Sequence, residues 1–182
     1  MCGIVGYVGK ENAASILIEG LSKLEYRGYD SAGIAVLDNS RDKKEIEIIK
    51  AKGRLQALRE MTDNGKAVKG YCGIGHTRWA THGEPSVINA HPHVSKDKKI
   101  AVVHNGIIEN YKEIKEYLQK KGYEFVSETD TEVIAHLLDY YYKGNCLEAI
   151  TKVLGRVRGS YALGILFQEN PGVMYAVRKD SP

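Results

Sequence analysis

The stretch Gly3–Gly9 (GIVGYVG) forms the first element of the fold, immediately after Cys2. It is short, apolar and rich in valine and isoleucine, a composition that indicates a buried strand. Ala32–Leu37 (AGIAVL) has the same character and indicates a second strand. Between the two, apolar residues recur at helical spacing over residues 16–24, which predicts one helix. We therefore expect the fold to begin as strand, helix, strand.

The rest of the chain mixes strands and helices. We predict strands at Ile46–Ala51, Gly70–His76, Ile100–His104, Tyr161–Phe167 and Val173–Val177, and helices at Leu55–Met61, Asn110–Lys121, from Thr129 onward and at Leu147–Leu154. Asn110 with Glu113, and Thr129 with Glu132, form N-terminal capping patterns. Arg78–Ser95 is predicted to be a long irregular loop, and such a loop in a compact domain usually has a functional use.

The composition is that of a globular protein, and we expect one α+β domain over residues 1–182. Hydrophobic residues make up 43% and charged residues 27%, the proportions of ordinary soluble domains. The net charge of +3 is small and the basic residues are scattered, which argues against a nucleic-acid partner. No apolar run reaches about 18 residues and no signal peptide is evident, so we expect no membrane association and a cytoplasmic location. Because the last strand is followed directly by Asp180-Ser181-Pro182, we expect the domain to be truncated at its C-terminal end.

The cysteines and histidines give no sign of a metal site. Cys2, Cys72 and Cys146 have neither metal-ligand spacing nor the even number of a disulfide set. The loop histidines, such as His91 and His93, lack a carboxylate or cysteine at ligand spacing. We therefore predict no metal and expect Cys72 and Cys146 to be core thiols.

Cys2 is the first candidate for chemistry. If Met1 is removed, Cys2 carries both a thiol and a free α-amine, whose ordinary pKa values are near 8.5 and about 7.7–8.0. A nucleophile paired with an N-terminal amine is a known form of activated nucleophile, and Gly3 permits close approach of a substrate. The alternative is that Cys2 is a small buried residue at the start of a strand.

His104-Asn105-Gly106 is the second candidate. Asn-Gly after an apolar strand is first of all a tight-turn signal. A turn also exposes backbone N–H groups, and the asparagine amide adds another donor, so the same residues could hold the oxyanion of an acyl-transfer intermediate. The residues by themselves leave both interpretations open.

Two charged residues could hold the ends of an amino acid. Arg78, in Gly75–Gly83 (GHTRWATHG), offers a planar fork for a carboxylate, and Trp79 beside it could help a loop to close over the site. The alternative is a surface arginine and a tryptophan anchored in the core. Asp130, in Ser127–Glu132, could pair with an α-ammonium group or could simply favour the start of a helix.

Taken together, these motifs resemble those of the class II glutamine amidotransferases. The matching stretches are MCGI at 1–4, LEYRGYDSAG at 24–33, GHTRWATHG at 75–83, NAHPH at 89–93, HNGIIENY at 104–111 and SETDTEVIAHL at 127–137. The resemblance implies an N-terminal-nucleophile hydrolase fold, an αββα four-layer sandwich. Amidophosphoribosyltransferases and asparagine synthetases match less well, because they usually place another residue where Tyr29 stands. The better match is to members that aminate a sugar phosphate.

The resemblance also implies roles for individual residues of this sequence. They are the nucleophile Cys2 with its own amine as base, the oxyanion donors Asn105 and Gly106, the α-carboxylate clamp Arg78 helped by Thr81 and His82, the α-ammonium partner Asp130, the loop residue Trp79, and the supporting residues Arg27 and Gly3. L-Glutamine would form a γ-glutamyl thioester with loss of ammonia, and water would then release glutamate. No cofactor is implied for this step.

In the complete members of this group, ammonia passes to a sugar-phosphate isomerase half that acts on fructose 6-phosphate. We expect that half to lie outside this chain and the whole protein to be a homo-oligomer. Two alternatives from other classes remain: a glutamine-binding module without catalysis, and an N-terminal-nucleophile acylase for another amide. The acylase would have no need for both Arg78 and Asp130.

Overall fold

The computed structural model describes residues 2–38, 44–79 and 83–181. Within these ranges the chain forms eight strands, five α-helices and one 3-10 turn at Glu25–Arg27. The strands are β1 (Gly3–Val8), β2 (Ser31–Asp38), β3 (Glu45–Lys52), β4 (Cys72–Arg78), β5 (His93–Val94), β6 (Ile100–Ile108), β7 (Gly159–Phe167) and β8 (Met174–Lys179). The helices are α1 (Ala13–Ser22), α2 (Leu55–Met61), α3 (Tyr111–Gln119), α4 (Glu132–Tyr141) and α5 (Cys146–Leu154). None of the described helices is long and apolar enough to cross a bilayer.

The strands form two four-stranded antiparallel sheets. The strand order is β1-β4-β2-β3 in the first sheet and β5-β6-β7-β8 in the second. β4 pairs with both β1 and β2, and Gly3 of β1 lies opposite Thr77 of β4. The start of β1 therefore lies beside the end of β4, and both of these ends carry candidate site residues.

The two sheets stack face to face, with helices on their outer faces. In β2 the side chains alternate between the two layers: Ile34 and Val36 pack against α1 and α2, whereas Ala35 and Leu37 face the second sheet. Helices α3, α4 and α5 cover the outer face of the second sheet in a larger core. The expected α+β class and the αββα four-layer sandwich are confirmed.

Two strands that flank the predicted loop at Arg78–Ser95 differ from the prediction. β4 runs from Cys72 to Arg78, so Arg78 ends a strand and does not open the loop. The short strand β5, at His93–Val94, was not predicted, because two residues are too few to show a period. Residues 83–92 otherwise contain no helix or strand.

The interpretation of Asn105-Gly106 as a tight turn is wrong. β6 continues through both residues to Ile108, and Gly106 lies opposite Tyr161 of β7. Gly106 has φ of +121°, and a Cβ at this position would collide with the carbonyl oxygen of Ser160. Asn-Gly makes a hairpin only when the strands on either side pair with each other. Here Asn105 and Gly106 pair instead with Ala162 and Tyr161 of β7, a strand that is distant in sequence.

The predicted cap of the third helix is also wrong. α3 begins after Asn110, but the Asn110 side chain makes no capping hydrogen bond. Its amide instead donates to the carbonyl oxygen of Arg156 and accepts from the backbone N–H of Arg158. Asn110 therefore joins the start of α3 to the segment before β7.

The capping pattern of Thr129 and Glu132 fails for a similar reason. α4 begins only at Glu132, and its N-cap makes no side-chain hydrogen bond. The Glu132 carboxylate accepts hydrogen bonds from the backbone N–H groups of Val126 and Ser127, at 3.0 and 2.8 Å. Glu132 thus holds the preceding segment against the helix, and that segment carries Asp130.

Candidate active site

Several distant parts of the chain meet around the Cys2 thiol. Because β1 and β4 are antiparallel, the start of β1 lies beside the end of β4. The middle of β6, from the second sheet, and the segment before α4 complete the walls of a pocket. The predicted residues that line it are Cys2, Arg78, Trp79, Asn105, Gly106 and Asp130.

The backbone of Trp79 holds the thiol of Cys2. The Trp79 N–H donates to Sγ at 3.2 Å, and Sγ lies 3.6 Å from the Trp79 carbonyl oxygen. Burial raises the pKa of the Cys2 thiol, although the hydrogen bond from Trp79 opposes this effect. A thiol with a raised pKa is protonated at neutral pH and is a weak nucleophile, so its attack requires a base.

The side-chain amide of Asn105 makes contacts at both of its ends. Its Nδ2 donates to the carbonyl oxygen of Cys2 at 3.0 Å, and its Oδ1 lies 2.9 Å from Nε2 of His76. The donor end of the amide therefore faces Cys2. When the thiol attacks an amide carbon, the amide oxygen becomes an oxyanion, and it would need a hydrogen-bond donor in this place.

Arg78 and Asp130 place a cation and a carboxylate in the wall of the pocket. Arg78 is only 4% exposed, so the interpretation as a surface cation is wrong. Its guanidinium donates to the carbonyl oxygens of Gly83 and Glu84, at 3.2 and 3.4 Å. Oδ2 of Asp130 accepts from the backbone N–H of Ile108 at 2.8 Å. These contacts hold two groups that suit the ends of a free amino acid.

Trp79 lies on the rim of the pocket. Its side chain is 46% exposed, and its ring meets the ring of Tyr29 edge-on, with centroids 5.2 Å apart. The interpretation of Trp79 as a core anchor is therefore wrong. Thr81 and His82, which were expected to assist Arg78, lie outside the described residues.

Gly3 and Arg27 lie at a second cavity, on another side of Cys2. This cavity has a volume of about 420 Å³, and Cys2 lines both it and the first pocket. A Cβ at Gly3 would lie 2.7 Å from Cβ of Leu24, so close packing against Leu24 favours glycine at this position. Neither Gly3 nor Arg27 lines the first pocket.

Four buried histidines lie near the pocket, and no role was predicted from the sequence for any of them. They are His76, His91, His93 and His104. The rings of His76 and His91 stack with centroids 4.1 Å apart, and Nδ1 of His104 lies 2.8 Å from Oγ1 of Thr131. Each histidine lies in one of the motifs GHTR, NAHPH or HNG, and this position within a motif was a sequence signal that it belongs near the site. No metal-binding group of three or more histidines, cysteines or carboxylates occurs among the residues that the structure describes.

Residues 76–180, more than half of the chain, match the family model of the glutamine amidotransferase domain. The chain belongs to this family. Among the curated relatives of this amidotransferase domain, the glutamine–fructose-6-phosphate aminotransferase (isomerizing) of Caldanaerobacter subterraneus subsp. tengcongensis is 60% identical over the whole chain. The protein of the same name from Thermus thermophilus is 52% identical. The chain spans only 29% of the length of either relative.

Solved structures agree with the fold of this amidotransferase domain. The glutamine phosphoribosylpyrophosphate amidotransferase of B. subtilis superposes with a TM-score of 0.78 and 30% identity, over 92% of this chain and 35% of that one. A glutamine aminotransferase class-II domain protein from Silicibacter pomeroyi has a TM-score of 0.57 and 16% identity, over 84% of this chain and 70% of that one. At that identity, the second likeness concerns the fold alone.

We expect acid to destabilise the amidotransferase domain below about pH 6.5. Burial lowers the pKa of His76 from 6.5 to about 4 in the folded state. Between these values the unfolded chain binds more protons than the folded one, so stability falls as the pH falls. For His76 alone the loss is ~3 kcal/mol by about pH 4 and ~2 kcal/mol by about pH 5, and burial also lowers the pKa of His93, to about 3. Urea unfolding at about pH 7.5 and about pH 5 measures the effect, and an equal midpoint at both values would contradict it.

Proposed function

We propose that this domain hydrolyses L-glutamine to L-glutamate and ammonia through a thioester on Cys2. The observation that carries the proposal is a single pocket lined by Cys2, Asn105, Arg78 and Asp130. A nucleophile beside a donor for an oxyanion suits acyl transfer. A cation and a carboxylate in the same pocket suit the two charged groups of a free amino acid.

The base in this reaction is the α-amine of Cys2, which becomes free once Met1 has been removed. As Sγ attacks the side-chain amide carbon of glutamine, the thiol proton passes to this amine. The amide oxygen gains negative charge and accepts hydrogen bonds from Nδ2 of Asn105 and from the backbone N–H of Gly106. The ammonium group then returns the proton to the leaving nitrogen, the C–N bond breaks, and ammonia departs. Water, deprotonated by the same amine, hydrolyses the γ-glutamyl thioester and restores the thiol.

The charged pair selects an amino acid over other amides. Arg78 binds the α-carboxylate, with help from Thr81 and His82, and Asp130 binds the α-ammonium group. Trp79, on the rim, closes over the bound substrate. An acylase that acts on another amide would need neither charge, so the two together favour glutamine.

We propose that the whole protein, of which this domain is a part, is a glutamine–fructose-6-phosphate aminotransferase, the name that its curated relatives carry. Ammonia released at Cys2 would be used by a sugar-phosphate isomerase half to make glucosamine 6-phosphate from fructose 6-phosphate. Segments beyond residues 1–182 would supply that half, and the assembled protein would be a homo-oligomer. Cys2, Cys72 and Cys146 are free thiols, which suits the reducing environment of the cytoplasm.

The test is glutamate release from L-glutamine by a chain whose N-terminus has been checked by intact mass. Release by a chain that begins at Cys2 supports the proposal. Calorimetric titration with glutamine separates the main alternative, because a binding module would bind glutamine and release no glutamate. A folded and correctly trimmed chain that releases none would contradict the proposed hydrolysis.

Replacing Arg78 by alanine is expected to raise the KM for glutamine by roughly 10- to 100-fold and to change kcat much less. The reason is that charge-assisted hydrogen bonds to the α-carboxylate are made equally in the ground state and the transition state. Steady-state kinetics measure both constants. Arg78→Lys is the matched control, because it keeps the charge and loses the planar fork. Its KM for glutamine should lie between that of the parent and that of Arg78→Ala. An unchanged KM in the alanine variant would remove Arg78 from the substrate site.

A further inference from the structure

His76 connects the first sheet to the proposed oxyanion donor. It lies in β4 and is 1% exposed. Its Nε2 is 2.9 Å from Oδ1 of Asn105 and 3.1 Å from the carbonyl oxygen of His104, both in β6. Asn105 in turn donates from Nδ2 to the carbonyl oxygen of Cys2. One imidazole thus contacts the acceptor end of the amide whose donor end faces Cys2.

These contacts determine which ring nitrogen of His76 carries hydrogen. Both atoms beside Nε2 are acceptors, so Nε2 is the donor. Nδ1 is buried and has no hydrogen-bond partner within the described ranges, so a hydrogen there would be unsatisfied. Burial lowers the pKa of His76 to about 4, which keeps the ring neutral at neutral pH. His76 is therefore the Nε2–H tautomer.

The opposite orientation of the Asn105 amide is unfavourable. Rotation by half a turn would place Oδ1 against the carbonyl oxygen of Cys2, and would place the NH₂ group against the N–H of His76. Each contact would join two like groups, acceptor to acceptor and donor to donor. His76 cannot relieve this by moving its hydrogen to Nδ1, because Nε2 would then face the carbonyl oxygen of His104 without a proton. The histidine therefore selects the orientation in which Asn105 presents its donor.

We propose that His76 is a positioning residue that keeps the Nδ2–H group of Asn105 directed at the oxyanion of glutamine hydrolysis. The inference rests on the proposed function and adds to it a residue that does not line the pocket. The oxyanion exists only as the reaction proceeds. A poorly directed amide should therefore lower kcat and leave the KM for glutamine nearly unchanged.

Two substitutions of His76 and one control test the role by kinetics. His76→Leu removes the donor and should lower kcat by roughly 10- to 100-fold, the scale of a misplaced catalytic group. His76→Gln keeps an N–H donor at a similar reach and should recover most of the loss. Thr77→Val is the matched control, because Thr77 is the next residue of β4 and its buried hydroxyl has no partner in the described part of the chain. It should keep the parental kcat. A parental kcat in His76→Leu would overturn the proposal.

A double-mutant cycle separates positioning from general support of the fold. In an Asn105→Ala background the amide is absent, so His76→Leu should cause little further loss of kcat. A further loss as large as that in the parent would overturn the proposal, because His76 would then act by a route that does not pass through Asn105.

The ¹⁵N chemical shifts of the His76 ring test the contact without catalysis. A neutral ring with hydrogen on Nε2 supports the proposal, whereas hydrogen on Nδ1, or a charged ring at neutral pH, overturns it. This measurement uses the parent chain and so does not depend on whether a His76 variant folds. If the parent releases no glutamate, the proposed function fails. The ring shifts still report which nitrogen of His76 carries hydrogen, so they test the His76–Asn105 contact separately.

Discussion

Cys2→Ser is expected to lower glutamate release by roughly 10³-fold or more, the scale of losing a catalytic nucleophile. The pocket would change by one atom, but a hydroxyl is far less acidic than a thiol. An α-amine with a pKa of about 7.7–8.0 is too weak a base to generate the alkoxide. Single-turnover assays at saturating glutamine measure the effect, because they report thioester formation without product release.

A matched control separates loss of the nucleophile from loss of any thiol. Cys146 is a free, buried cysteine at the start of α5 and does not line the pocket. Cys146→Ala should therefore keep parental glutamate release. Near-parental release by Cys2→Ser would contradict the thioester mechanism, and glutamine binding by Cys2→Ala would show that the pocket itself is intact.

A chain that retains Met1 is expected to release glutamate roughly 10²- to 10⁴-fold more slowly than the trimmed chain, the usual contribution of a general base. Burial raises the pKa of the Cys2 thiol, so at neutral pH the proton must be removed as Sγ attacks. In the retained form the nitrogen of Cys2 is an amide, which cannot accept that proton. The same loss is expected when the α-amine of a trimmed chain is acetylated.

The measurement compares chains of defined N-terminus, each verified by intact mass. Glutamine binding and thermal unfolding should be similar in the trimmed and retained forms, so that the difference lies in kcat. In the trimmed chain, activity should rise with pH through about 8, as the amine loses its proton. A parental rate from a chain that keeps Met1 would show that some other group takes the thiol proton.

Several features of this protein follow from the sequence alone. β2 has a continuous apolar run because it is covered on both faces. In α4 the apolar residues recur at helical spacing, and Val133, Ile134, Leu137 and Leu138 all lie in the core over the second sheet. These patterns depend on neighbours a few residues away, so the spacing of side chains predicts them. The order of the motifs indicated the family. It also indicated that Cys2, Arg78 and Asn105 belong to one site, and the structure places all three around one pocket.

Other features were decided only by the tertiary structure, because they depend on partners far along the chain. Asn105-Gly106 has the local signature of a turn, but pairing with β7 keeps it within a strand. Asn110 has the signature of a cap, but its side-chain amide bonds to the backbone of Arg156 and Arg158, more than forty residues away. A short sequence pattern predicts only which local structure is preferred, a turn or a cap. A hydrogen bond to a segment far along the chain can outweigh that local preference. The contact of His76 with Asn105 is of the same kind, since it joins two sheets that meet only when the chain has folded.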